Sequence, residues 1–288
     1  MIHGPRLENA ALAAPLVLFL LALLGFPTLL DIVYSLSEVR FETLRAPNFI
    51  GLGNFAAVLT DPEFWQASWF SLKFATLTAG AECLLGLALA IYLAPLLRRH
   101  PWLLAILIMP MIVAPAMMGL MYRLVLHEFI GPLPHYLLSW FGDSPGFLTA
   151  DNVFLTIFVI ETLQWTPFAL LLFHMAYEAI PGDIREAASV DGTRSWRMLT
   201  RIELPLMAPT LAIAFFVRFI DGFRVFDNIW VLTGTGPGGS TTSLSIYIYV
   251  TFFRSGDIGK AVAASVILFA AAFAMLWLAA RQLRREDA

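Results

Sequence analysis

The chain has 288 residues, 59% hydrophobic and only 14% charged, with a net charge of −3 and a mean hydropathy of +0.76. A soluble domain of this size cannot solvate that much apolar surface, so the composition points to an integral membrane protein and away from soluble enzymes and nucleic-acid binders. The single cysteine, Cys83, lies in an apolar segment; it excludes a disulfide within the chain and reads as a small buried hydrophobe.

At roughly 20 residues per crossing, the apolar runs predict six transmembrane helices over residues 10–36, 71–97, 102–126, 153–175, 206–232 and 259–280. This is an all-α polytopic protein with one membrane domain over residues 1–288. Arg6 precedes the first run and no small-residue cleavage site follows it, so a retained helix is expected, with a kink at Pro27. Residues 37–69 are too polar to span, and Phe64, Trp65, Trp69 and Phe70 read as an interfacial aromatic belt. Pro110 and Pro115 lie inside the third run, where they free backbone groups that neighbours or water must satisfy.

The fourth run places Glu161, Gln164, Trp165 and Phe168 on one helical face, at offsets of three, four and seven. Polar groups are costly in a bilayer, so this face should look into a bundle interior or a water-filled cavity. A carboxylate, an amide and two aromatic rings suit a sugar, with its apolar C–H patches and many hydroxyls. The alternative is that Glu161 pairs with a basic residue on another helix and Trp165 is packing.

Between the fourth and fifth runs lies a polar loop, Pro181 to Pro205. Asp183 and Glu186 make a capping-box pattern, and Ile184, Ala187, Ala188 and Val190 suit a short helix. Asp191-Gly192 should break it. A second short helix, capped by Thr193, should end near Leu204-Pro205. With Ala187 and Ala188 exposed, the module reads either as a docking knob or as a surface loop. The fifth run carries Arg218, Asp221, Arg224 and Asp227 at three-residue spacing, a pattern that permits pairing along one helix. With Gly222, which allows close approach, they form a gate or solute surface, or else a structural ladder.

Basic residues set the orientation. Arg6, Arg98, Arg99, Arg185, Arg194, Arg197, Arg201, Arg281, Arg284 and Arg285 collect on one side, so both termini and the 181–205 loop are expected in the cytoplasm of a bacterial inner membrane.

The sequence Glu186-Ala187-Ala188, three residues, Gly192, nine residues, then Ile202-x-Leu204-Pro205 resembles the EAA loop of ABC importer permeases. Thr233 to Gly239, followed by Ser240-Thr241 and Tyr247-Ile248-Tyr249, resembles a segment of the carbohydrate-type members. The resemblance implies a type I importer permease fold whose cytoplasmic coupling helix carries Glu186, Ala187, Ala188, Asp191, Gly192, Ile202, Leu204 and Pro205. It also implies a solute cavity lined by Glu161, Gln164, Trp165, Phe168, Arg218, Asp221, Gly222 and Arg224. The implied partners are a second, related permease, a dimer of ATPase subunits that binds the ATP and magnesium, an extracytoplasmic solute-binding protein and membrane lipid. No cofactor is expected in this chain itself, and no catalysis.

Gly234-x-Gly236-x-x-Gly239 fits a dinucleotide fingerprint as text, but no strand is expected before it, and no P-loop or hydrolase motif occurs. Two rivals stand beside the importer reading. One is an ion-gradient-driven transporter using Glu161 or Asp221. The other is a membrane enzyme using Glu161 and His174 as acid and base.

Overall fold

The protein is described by a computed structural model covering residues 4–191, 193 and 195–286. Helix α1 (Gly4–Leu20) passes through a π turn (Leu21–Gly25) into α2 (Phe26–Ser35). The short strands β1 (Ser37–Glu38) and β2 (Asn48–Phe49) pair antiparallel, with Ser37 opposite Phe49. After α3 (Gly53–Leu59) comes the 38-residue α4 (Pro62–Arg99). Then follow α5 (Trp102–Leu107), α6 (Met109–Ile112), α7 (Pro115–Val125), α8 (Pro132–Phe141) and α9 (Val153–Glu178). The polar loop holds α10 (Gly182–Val190) and α11 (Ser195–Met198). A second π turn (Leu199–Glu203) leads into α12 (Leu204–Phe223), then α13 (Asp227–Thr233), α14 (Leu244–Tyr249) and α15 (Ile258–Glu286).

Among the described residues, five helical stretches are long and apolar enough to cross a membrane: Leu12–Ser35, Pro62–Arg99, Val153–Glu178, Trp196–Phe223 and Ile258–Trp277. The expected third crossing, residues 102–126, is instead assembled from α5, α6 and α7. Val113 and Ala114 are extended between the last two, ahead of Pro115. The second helix begins at Pro62, well before Ser71, because Asp61 Oδ1 accepts the Glu63 N–H at 2.9 Å and caps its first turn. The aromatic belt is split accordingly: Trp65 and Trp69 are exposed, whereas Phe64 and Phe70 are buried.

Both of these π turns end two residues before a proline, Pro27 and Pro205. A proline ring clashes with the carbonyl four residues back, and one extra residue in the turn relieves that clash without ending the helix. For this reason Leu204-Pro205 does not terminate a helix, contrary to expectation, and the fifth crossing starts at Trp196. Nor does that crossing reach residue 232, since it breaks after Phe223. Ser243 and Ser245 donate to the carbonyls of Val225 and Arg224, at 2.6 and 2.9 Å, and satisfy groups left open by the break.

The chain forms two compact units. One comprises residues up to Phe64 together with Tyr247–Ala271; the other comprises Trp65–Ile246 and the stretch from Ala272 onward. In the first, Asn54 donates from Nδ2 to the carbonyls of Ser35 and Ser37, at 3.0 and 2.8 Å, and ties α3 to the end of α2. The N–H of Ile258 reaches Val39 O at 3.0 Å, over a small core of Val39, Ile258 and Val262.

Asp61 accepts from Lys260 Nζ and Tyr247 Oη in the same unit, each at 2.7 Å. Burial alone would raise its carboxyl, but these hydrogen bonds outweigh it and hold the group below its ordinary value. Burial, and then the bond to Asp61, raise the Tyr247 hydroxyl. Because Asp61 is depressed in the folded state, its stabilisation is complete above the unfolded carboxylate value, about 3.9. It is lost as pH falls through the lower folded value. Asp61→Asn should therefore flatten the acid limb of the thermal stability profile; an unchanged acid limb would rule this bond out as its source.

Candidate functional site

The second unit centres on a charge that the bilayer would normally forbid. Arg218, on α12, is 2% exposed. Its Nε donates to Glu82 Oε2 on α4 at 2.6 Å, and Nη2 reaches Glu82 Oε1 at 3.3 Å and Glu161 Oε1 on α9 at 3.2 Å. Nη1 donates to Asp221 Oδ2 at 3.4 Å. The Trp165 ring covers the guanidinium, with 4.3 Å between them. The second oxygen of Glu161 accepts from Asn228 Nδ2 on α13. Three helices thus meet at one guanidinium, with α13 joined to them through Glu161, and carboxyl groups offset its desolvation.

Glycines allow the helices to come this close. A Cβ at Gly222 would lie 3.0 Å from Ala75 Cα on α4, and one at Gly119 of α7 would lie 2.7 Å from the Asn228 carbonyl oxygen. Gly222 therefore serves a helix–helix contact.

Beside the network lies a cavity of ≈ 470 Å³, lined by Pro115, Glu161, Trp165, Arg218, Asp221, Arg224, Val225, Phe226, Asp227 and Asn228. Of the eight residues expected there, Glu161, Trp165, Arg218, Asp221 and Arg224 line it, whereas Gln164, Phe168 and Gly222 do not. Gln164 is fully buried and donates from Nε2 to the Val113 carbonyl at 2.9 Å. It satisfies the group freed where Pro115 interrupts the third crossing, which accounts for a buried amide on that face. The expected four-charge ladder is also revised. Arg218, Asp221 and Arg224 pair at three-residue spacing, but Asp227 lies beyond the break, in the first turn of α13.

Glu82 and Asn228 complete the network and are absent from the sequence reading. Glu82 had a legible signal, as a lone carboxylate within the 71–97 run. Asn228 had none, since only the fold brings it to Glu161. The proposed acid–base pair does not form: Glu161 and His174 are thirteen residues apart on continuous α9, about 20 Å along its axis at 1.5 Å per residue.

A second polar cluster organises the loop. On α10, Asp183 lies in the first turn of a helix that starts at Gly182, one residue before the expected cap. Ala188 faces inward, 7% exposed, and only Ala187 of the alanine pair is exposed. Ile184, Ala187 and Val190 leave an apolar stripe facing away from the chain. Arg185 points inward as well: Nε donates to Glu203 Oε1 and Nη2 to the Tyr177 carbonyl, each at 2.9 Å, and the guanidinium lies 4.2 Å from the Tyr177 ring. One side chain on α10 therefore holds the end of α9 and the start of the α12 crossing together. The Thr193 N–H donates to Ala188 O at 3.1 Å and closes the helix. Gly192 and Arg194 lie outside the described residues. Asp191 is exposed past the helix end, Ile202 lies in the π turn, and Leu204 and Pro205 open α12. The 234–239 glycines follow a helix, α13, and not a strand.

Residues 85–287 match the model of the binding-protein-dependent transport system inner membrane component family. The chain belongs to that family. This permease is a multi-pass inner-membrane protein. It is 35% identical over 242 residues to the trehalose/maltose transport system permease protein MalF of Thermococcus litoralis, covering 83% of this chain and 81% of that one. It is 31% identical over 271 residues to the trehalose transport system permease protein SugA of Mycobacterium tuberculosis, covering 92% and 86%. The fold matches a chain of the bacterial alginate ABC transporter, crystallised with an alginate pentasaccharide-bound periplasmic protein. The TM-score is 0.82 at 21% identity, over 96% of this chain and 94% of that one.

Proposed function

We propose that this permease forms half of the translocation pathway of an ABC importer for a sugar, polyol or glycoside. The observation that carries this reading is the cavity beside Arg218, where the Trp165 ring and a set of polar side chains converge in a volume ordinary for small-ligand sites. Relatives named for trehalose and maltose transport support it. The partners are a second, related permease, an ATPase dimer that binds ATP and magnesium, and an extracytoplasmic binding protein that delivers the solute. Both termini and α10 face the cytoplasm.

In this mechanism the ATPase receives α10 through its exposed Ile184, Ala187 and Val190 stripe, with Glu186 beside it. Closure of the ATPases moves α10 as a rigid body, and the flanking crossings carry the motion to the cavity. ATP is hydrolysed on the partner, and this chain supplies the path.

Two experiments test the two halves separately. The tagged chain extracted from its native membrane should bring an ATPase and a second permease with it, and Glu186→Lys should lose the ATPase. Isolation of the chain alone in both cases would remove the coupling role and favour gradient-driven transport. Trp165→Ala should weaken solute transport by about tenfold, a value in keeping with loss of one stacking contact of about 1.4 kcal/mol, while the ATPase stays bound. Loss of assembly would instead make Trp165 a packing residue.

A further inference from the structure

The cavity contains two arginines, which invites the idea of an anionic solute; their geometry argues the opposite. All three nitrogens of Arg218 already donate to carboxylates, those of Glu82, Glu161 and Asp221, and its face is covered by Trp165. A guanidinium committed in this way has no fork to offer a phosphate, sulfonate or uronate. Arg224 donates from Nη2 to Asp221 Oδ1 at 3.2 Å and is 67% exposed at its side chain, so solvent screens what remains of its charge.

Carboxyl groups outnumber these guanidiniums. Glu161, Asp221 and Asp227 line the cavity, and Glu82 lies directly behind Arg218. Four carboxyl groups thus surround two guanidiniums, around a pocket whose strongest donors are already used. Glu161 is itself occupied by Arg218 and Asn228, and Asp221 by both arginines, while Asp227 is exposed and screened by solvent, so the acids offer little to a cationic solute either. Trp165, half-buried in the cavity wall, offers a ring surface to a solute with apolar C–H patches.

We infer that the cavity excludes anionic solutes and takes an uncharged, polyhydroxylated one, with Arg218 acting as a positioning residue that orients Trp165 and Glu161. This rests on the proposal that the cavity lies on the solute path.

The test uses the assembled membrane complex purified without its soluble binding protein, so that selection by that protein is absent. Saturation-transfer NMR compares three probes of matched shape: trehalose, trehalose 6-phosphate and 6-amino-6-deoxytrehalose. Trehalose should bind, with the signal lost in Trp165→Ala. The phosphate should bind at least about tenfold more weakly, or about 1.4 kcal/mol, and the amine no more tightly than trehalose. Asp221→Asn frees one arm of Arg218 and should raise phosphate binding by about the same factor. Phosphate or amine binding tighter than trehalose in the wild type, abolished by Trp165→Ala, would overturn the charge inference while leaving the cavity on the path. If no probe binds, or binding survives Trp165→Ala, the cavity is not a solute site and both readings fall.

Discussion

Arg218→Leu should destabilise the permease by about 3–5 kcal/mol, the usual cost of removing one partner from a buried ion network. The reason is local. Glu82 and Glu161, 0% and 4% exposed, would lose the cation they share. Trp165 would lose the guanidinium beneath it, and α4, α9 and α12 would lose their common attachment. Arg218→Lys should recover only part of this, since one ammonium cannot reproduce the forked bonds to Glu82 together with those to Glu161 and Asp221. Thermal unfolding of the detergent-solubilised complex, with membrane abundance, measures the effect. Wild-type stability in Arg218→Leu would mean that apolar packing alone holds these helices, and the network would then be free to serve another purpose.

The second large effect is expected in coupling. Arg185→Glu puts a carboxylate against Glu203 and removes the bond to the Tyr177 carbonyl. Under the proposed function, α10 would still reach the ATPase through its outward stripe but would no longer be fastened to the crossings on either side. The ratio of ATP hydrolysed to solute moved should rise about tenfold, equivalent to about 1.4 kcal/mol of coupling, with ATPase association retained. Arg185→Glu combined with Glu203→Arg should recover part of it, because the pair can re-form with its ends exchanged. A merely structural role would lower hydrolysis and transport together, leaving the ratio unchanged and removing Arg185 from the coupling path.

The reach of sequence reasoning followed the range of the forces involved. Membrane residence, the apolar crossings and the polar loop were legible because burial against lipid needs long uninterrupted apolar runs, and these are local in sequence. The face carrying Glu161 and Trp165 was legible for the same reason, since helical periodicity is local. Element ends were less so. Capped by Asp61, α4 starts nine residues ahead of the expected start, and π turns carry two helices past prolines that should have disturbed them.

What only the tertiary structure decided was the meaning of the polar residues. Gln164 belonged to the right face, yet its partner is the Val113 carbonyl, fifty-one residues away in sequence. Glu82 and Arg218 are 136 residues apart, and no periodicity connects them. A buried charge must find its partner wherever the fold places one, so composition announces that such a residue is costly while only packing reveals what satisfies it. The sequence by itself therefore determined that this chain crosses a membrane and carries a polar loop, 181–205, that resembles the EAA loop of importer permeases. The tertiary structure decided that its two central arginines are already occupied, because ion pairing in a low-dielectric interior is settled by distance in space and not along the chain.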